Sequence, residues 1–476
     1  TKIEDCLVIA PHAIGSRSSY GLDADGDLTF VALAELRVID CILLGGRVGI
    51  LFDRVSLNLA MASFSRNLVI GIARGAVIRF AEIPTASTRI DGCTIMANRT
   101  ALRLGSTDAR VLDSEISGGA AAGDGIVLSD PLMPDQRTDA QIIGNTVFDL
   151  AGAGIRIEGQ HDAILIKRNM IRRCGTVGII TEPDAEIRHI AIDNNVIEDV
   201  AGSAPQNSGA GVVVTSAETG QVIGNKVQSI GQGGDDSQIF AGIAAQDVGS
   251  FSIESNVISE IGPNSPETRS FGILLRPPYD GLRVNNNQIS VAIGADPSSL
   301  TSWLGILIGT DAPSPNNRPR LGSPQLAHRA SLPQADSRGV AYVEHSGNRV
   351  RLAASGYRAT PSRATANQIG ISGNQLRSGA GLRFPMVQVF DAGAVSLAFA
   401  QNQCMQDGQR NLAEMVVLGA QRLAVSNNTV THQTDMLSVR LIGNAAAVVG
   451  NITSANGITL NSTGLPAPFD ALNIIA

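Results

Sequence analysis

The sequence predicts an all-β chain, a right-handed parallel β-helix solenoid of about sixteen rungs, and three observations predict it. A short pattern of an apolar residue, two arbitrary residues, Asn, one arbitrary residue and a second apolar residue recurs along most of the chain. A Gly-aliphatic pair follows many copies at a similar distance. The composition is rich in Gly, 51 of 476 residues, and poor in aromatic and charged residues, at 4% and 17%. Many short Gly-punctuated strands suit a repetitive β architecture better than a set of ordinary globular domains.

The first pattern is clearest in Ile142–Asn145–Val147, Ile166–Asn169–Ile171 and Ile192–Asn195–Ile197. It continues through Asn225, Asn256, Asn287, Asn348, Asn374, Asn402, Asn428 and a degraded Val448–Asn451–Thr453. Toward the N-terminus the same frame holds with Asn67, but otherwise with Cys or Ser in the Asn slot, at Cys6, Cys41, Cys93 and Ser114. Most steps are 21 to 31 residues, the period of a solenoid. The slot belongs at a turn, where the Asn amide can bond the backbone and the same amide one rung away. Asn tolerates the left-handed conformation that such turns need. Cys is a small, buried substitute, so Cys6, Cys41 and Cys93 read as structural.

The second marker appears as Gly125-Ile126, Gly154-Ile155, Gly178-Ile179, Gly211-Val212, Gly242-Ile243, Gly272-Ile273 and Gly305-Ile306. The period of two in a strand turns Ile155 and Ile157 inward and Arg156 and Glu158 outward. The first outward positions of this strand are Val127, Arg156, Ile180, Val213, Ala244, Leu274 and Leu307, an apolar stripe that something should cover. The next are Ser129, Glu158, Glu182, Thr215, Gln246 and Arg276. Glu158 and Glu182 fall on adjacent rungs, so their carboxyl groups could lie about 5 Å apart. That spacing suits an acid–nucleophile pair of a retaining glycosidase or a shared cation, and like charge would raise one pKa. Splayed, solvated glutamates are the plainer alternative.

Departures from the repeat mark other candidates. In four successive rungs the Gly-aliphatic marker moves 16 to 18 residues beyond the Asn. The extra residues, within 200–304, predict stacked loops forming one shelf. The shelf carries Asp235, Asp236, Arg269 and the single tryptophan, Trp303, as binding candidates. Residues 311–340 hold five prolines and four arginines and read as a long surface excursion. A closing C-terminal segment is expected near 461–476. These features are read as parts of one domain, 1–476.

This pattern resembles the parallel β-helix repeat family, the superfamily of pectate lyases, polygalacturonases and phage tailspikes. The resemblance covers nearly the whole chain and implies the fold, while an activity depends on particular motifs. The polygalacturonase-type paired Asp, Gly-His-Gly and Arg-Ile-Lys motifs do not occur in the expected order. The epimerase-type Asp-Pro-His is absent as well. Pectate-lyase-like members use clustered acidic calcium ligands and an arginine. Glu158, Glu182, Arg156 and Arg276 are the residues here that could supply such groups.

Other classes of function are disfavoured. A net charge of −7 is a poor surface for nucleic acid. No run of 18 apolar residues predicts a membrane span, and no secretory signal is visible at the start. Five cysteines without a CxxC pair predict neither zinc nor a disulfide framework. Asp23-Ala-Asp-Gly-Asp27 faintly resembles a calcium loop but lacks its spacing and closing Glu, so no cofactor is expected beyond that weak calcium possibility. Two readings of function follow. One is a non-catalytic scaffold or interaction module of a larger exported protein or of a phage or bacterial particle. It would have a protein partner, or a further domain, at an uncapped first rung. The alternative is a lyase, hydrolase or epimerase acting on an acidic polysaccharide beside the shelf.

Overall fold

The structure is a computed structural model that describes residues 2–17, 35–55, 61–80, 87–118, 123–129, 137–201, 209–232, 239–263, 269–290, 303–308, 341–346, 348–352, 355–359, 366–378, 385–390, 396–406, 414–432, 437–454, 457–460, 463–464 and 473–475. The described residues contain strands and no helix, so none is long and apolar enough to cross a membrane. The chain divides into two compact units, Thr1–Gly202 with Gly211–Gly220, and Ser203–Ala210 with Gln221–Ala476.

In the first unit three kinds of strand stack, each on its equivalent in the next rung. The strands before the corner align Ile90, Val111, Ile142, Ile166 and Ile192 in parallel register. Those after the corner align Ile95, Ile116, Val147, Ile171 and Ile197. The Gly-led strands align Ala76, Leu102, Ile126, Ile155 and Ile179. All these side chains are buried, so the inward half of each strand fills the bore.

The corner between the first two strands is where the Asn slot acts. Asn145 donates its backbone N–H to Asn169 Oδ1 at 2.9 Å, and Asn169 does the same to Asn195. The Asn169 amide nitrogen donates to the Ile142 carbonyl at 2.8 Å and to Asn195 Oδ1 at 3.0 Å. One side chain thus satisfies corner groups that no sheet partner can reach. Cys and Ser perform a reduced version. Asn67 N–H points at Cys93 Sγ at 3.5 Å, and Cys93 N–H donates to Ser114 Oγ at 3.1 Å.

One expectation about this corner is corrected. The slot Asn is not left-handed; the residue before it is. Asp113, Arg168 and Asn194 have φ of 45°, 56° and 55°, and Gly144 has 72°. The slot residue itself keeps an ordinary backbone, which aims its amide along the stack.

The marker glycine is required by close approach and not by its φ. A Cβ on Gly178 would lie 2.5 Å from Ile197 Cγ2 and 2.6 Å from the Gly211 carbonyl oxygen. Gly178→Ala is therefore expected to cost about 1–3 kcal/mol through forced displacement, measured as a lowered unfolding midpoint.

The second unit repeats the scheme. Its ladder runs from Asn225 through Asn256, Asn287, Asn348, Asn374, Asn402 and Asn428 to Asn451, each backbone N–H donating to the next Asn Oδ1 at 2.9–3.1 Å. Asn287 and Asn348 are directly stacked although 61 residues apart. The Pro- and Arg-rich segment is therefore an insertion between neighbouring rungs. That segment and most of the expected shelf, including 202–208, 233–238, 264–268 and 291–302, lie outside the described residues. Of the expected closing segment near 461–476, the described part extends the ladder. Asn451 N–H donates to Asn473 Oδ1 at 3.1 Å, and Ile474–Ile475 pairs in parallel with Ile452–Thr453. Thr463–Gly464 pairs antiparallel with Ile458–Leu460.

Candidate functional site

The site grows from the Gly-led strands Thr100–Gly105, Ile126–Leu128, Ile155–Ile157 and Val177–Thr181 of the first unit. Register places Arg103, Val127, Arg156 and Ile180 in one outward row. Ile157 pairs with Thr181, so Glu158 and Glu182, each one residue further on, occupy equivalent positions on adjacent rungs. The two glutamates are held by different arginines. Arg103 donates to Glu158 Oε2 at 2.6 Å, reaching past the rung of Val127. Arg156 donates to a Glu182 carboxylate oxygen and, through Nε and its other terminal nitrogen, to both oxygens of Asp124 at 3.0 and 3.1 Å. Asp124 Oδ1 also accepts the Ala153 backbone N–H at 2.7 Å. The result is a half-buried chain of charge, Asp124–Arg156–Glu182, across three successive rungs.

The charges respond to burial differently. Arg156 loses hydration, yet its hydrogen bonds to Asp124 and the charges of Glu182 and Glu158 outweigh that loss and raise its pKa. For Glu182 burial wins. It raises the pKa against the pull of Arg156, and Glu158 and Asp184 push in the same direction. The folded chain then keeps the Glu182 proton to higher pH than the unfolded chain does. The stability contributed by this group is greatest below the usual glutamate pKa and falls as pH rises through the raised one. Glu182→Gln, which mimics the protonated form, is expected to flatten this dependence. The midpoint difference between variant and wild type should grow in the variant's favour from about pH 4 to about pH 8. Thermal unfolding across that range measures it.

Beneath Glu158, the buried His161 bonds Thr138 Oγ1 through Nδ1, and its Nε2 lies 2.9 Å from the Glu158 carbonyl oxygen. The buried Thr181, in register with Ile157, and Thr215 of the next rung bring their hydroxyls to 3.1 Å of each other. None of the described residues forms a His/Cys/Asp/Glu group able to hold a metal. The cysteines are free thiols, and complete burial pushes those of Cys174 and Cys404 up to about 12. These two are inert packing groups at neutral pH.

The remaining candidates are distributed elsewhere. Arg276 lies in the second unit, in register with Gln246. Asp235, Asp236 and the segment Asp23–Asp27 lie outside the described residues. Arg269 and Trp303, assigned to shelf loops by sequence, instead occupy the first positions of strands Arg269–Asn285 and Trp303–Ile308. The physical reason is that each Gly-led strand begins two or three residues before its glycine, Gly272 or Gly305, and pairs there with its neighbour. The apolar stripe is buried in both units: Val127, Ile180 and Val213 in the first, and Ala244, Leu274 and Leu307 in the second. It needs no second chain to shield it. Asp124 and Arg103 are members of the site that the sequence reading did not single out. Asp124 directly precedes the marker Gly125, and Arg103 occupies the outward row one rung before Val127.

Residues 76–258 match the family described as the right handed beta helix region. The in-register parallel strands of each unit show the same stacked parallel β-helix fold. No curated protein matches it.

Proposed function

We propose that the chain is a non-catalytic β-helix scaffold or interaction module, part of a larger exported protein or of a bacterial or phage-type particle. One observation carries this reading. Both glutamates that could act as acid and base are engaged by arginines from other rungs, Glu158 by Arg103 and Glu182 by Arg156. Such inter-rung ion pairs lock rungs together, which is what a rigid scaffold needs. The reading requires no cofactor.

A second reading is favoured by a specific feature. Glu182 is half-buried with a raised pKa and stands beside Arg156, the environment of a general acid. It would make the chain a lyase, hydrolase or epimerase of an acidic polysaccharide, with Glu158 and Glu182 as acid and base. The deciding experiment incubates the full chain with a panel of acidic polysaccharides and measures new reducing or unsaturated ends. The scaffold reading expects none. Turnover abolished by both Glu158→Gln and Glu182→Gln would establish the enzyme instead.

A further inference from the structure

We infer that the rungs of Cys6, Cys41, Asn67 and Cys93 carry a self-association surface for a second copy of this chain. This inference stands whether or not the module is catalytic. The strands after the corner in these rungs place Leu7, Ile42, Leu68 and Thr94 in one outward column. Ile9, Leu44, Ile70 and Met96 form the column beside it, and Ile72 extends its edge. The bore-facing side chains on the same strands are different residues, among them the buried Leu43, Val69 and Ile95. Leu7, Ile9 and Ile72 are 62%, 64% and 63% exposed, and Ile42 and Met96 are 42% and 44% exposed. The field stops at the next rung, where the exposed Glu115 follows Thr94 in the column.

Its size fits an interface centre. A large aliphatic side chain presents on the order of 100 Å², so the patch offers roughly 350 Å² of apolar surface, in the range where a monomer's largest patch is functional. Two copies would bury about 700 Å² of it. Apolar area is a little over half of a typical interface, which implies a total of about 1,200 Å², the lower bound for specific association.

Its pattern is self-complementary. Consider a two-fold axis running along the strands, between the rungs of Cys41 and Asn67. It places Ile42 on Leu68 of the second copy, Leu44 on Ile70 and Ile9 on Met96, with the two sheets packed face to face about 10 Å apart. The adjoining corners carry Asp40 and Arg66, an exposed ion pair at 2.6 Å within one chain. The same axis brings Asp40 of each copy to Arg66 of the other. Aliphatic columns and flanking charges thus satisfy one symmetry operation, which favours a second copy over an unrelated chain.

Analytical ultracentrifugation of the full chain tests this. The expected result is a dimer with a Kd of about 1 μM or tighter. Ile9→Glu and Ile42→Glu should each weaken it at least about tenfold. Ile72→Ser, outside the strand pairing, should weaken it without disturbing the first rungs. Asp40→Arg alone and Arg66→Asp alone should each weaken the dimer, and the double exchange should restore it. Circular dichroism verifies that each variant is folded; the exposed Asp40–Arg66 pair contributes little to folding itself. A wild-type monomer at about 100 μM overturns the inference and leaves the patch to a different chain. A dimer unmoved by the Ile9, Ile42 and Ile72 changes overturns it too. Failure of the double exchange to restore association overturns the two-fold arrangement.

Discussion

Asn169→Leu is expected to destabilise the first unit by about 2–5 kcal/mol. The substitution preserves bulk but removes an amide that serves several buried partners. Asn169 Oδ1 accepts both the backbone N–H and the side-chain Nδ2 of Asn145, at 2.9 and 3.0 Å. Its Nδ2 donates to the Ile142 carbonyl at 2.8 Å. Leucine leaves that N–H and that carbonyl without partners in a buried corner, and each orphaned group costs about 1–3 kcal/mol. Asn169→Ser should cost less, because the Ser114 hydroxyl already accepts the Cys93 N–H at 3.1 Å in the same slot. Chemical denaturation of the wild type and the two variants measures the series, and equal losses for Leu and Ser would contradict it.

The second large effect is expected at Arg156. Arg156→Leu should cost about 3 kcal/mol, because it strands Asp124 and Glu182 where both are mostly withdrawn from water. The loss should be smaller in the Arg156→Leu/Glu182→Gln double variant, since one of the two stranded charges is then gone. The coupling in a double-mutant cycle is expected to lie within about 0.5–3 kcal/mol. Additive losses would mean that the two side chains do not act on each other. The asymmetry is instructive: Arg156 has several carboxylates and gains from all of them, whereas Glu182 has one arginine and pays more for burial than it recovers.

The ladder was legible in the sequence because each corner demands one particular chemistry. An acceptor and a donor must share a short side chain, and Asn recurs accordingly. The left-handed residue was not legible, because Asp, Arg, Asn, Ser and Gly all occupy it and no side-chain type reports it. The equivalence of Glu158 and Glu182 followed from counting by two from Gly154 and Gly178. Their partners did not, since an arginine is long enough for Arg103 to reach past an intervening rung. The exposed patch was hidden for the opposite reason. Leu7-Val8-Ile9 and Ile42-Leu43-Leu44 are aliphatic on both faces, and such runs read as doubly buried strands. Only the register with neighbouring rungs separates the bore face from the open one.

The direction of the corner hydrogen bonds gives the stack a sense. Each Asn accepts from the corner amide of the rung before it, and its own Nδ2 donates to that earlier rung's carbonyl, as Asn169 does to Asn145 and Ile142. A rung is therefore sealed by its successor. A polypeptide emerging from its N-terminus would lock what has already formed each time a new turn is laid down, leaving only the growing tip open. Damage should travel the other way. A lost Asn169 would release the Asn145 amide to hydrogen exchange, while the Asn195 side-chain amide nitrogen further along still donates to the Ile166 carbonyl. The helix is in this respect a ratchet, written one residue per turn.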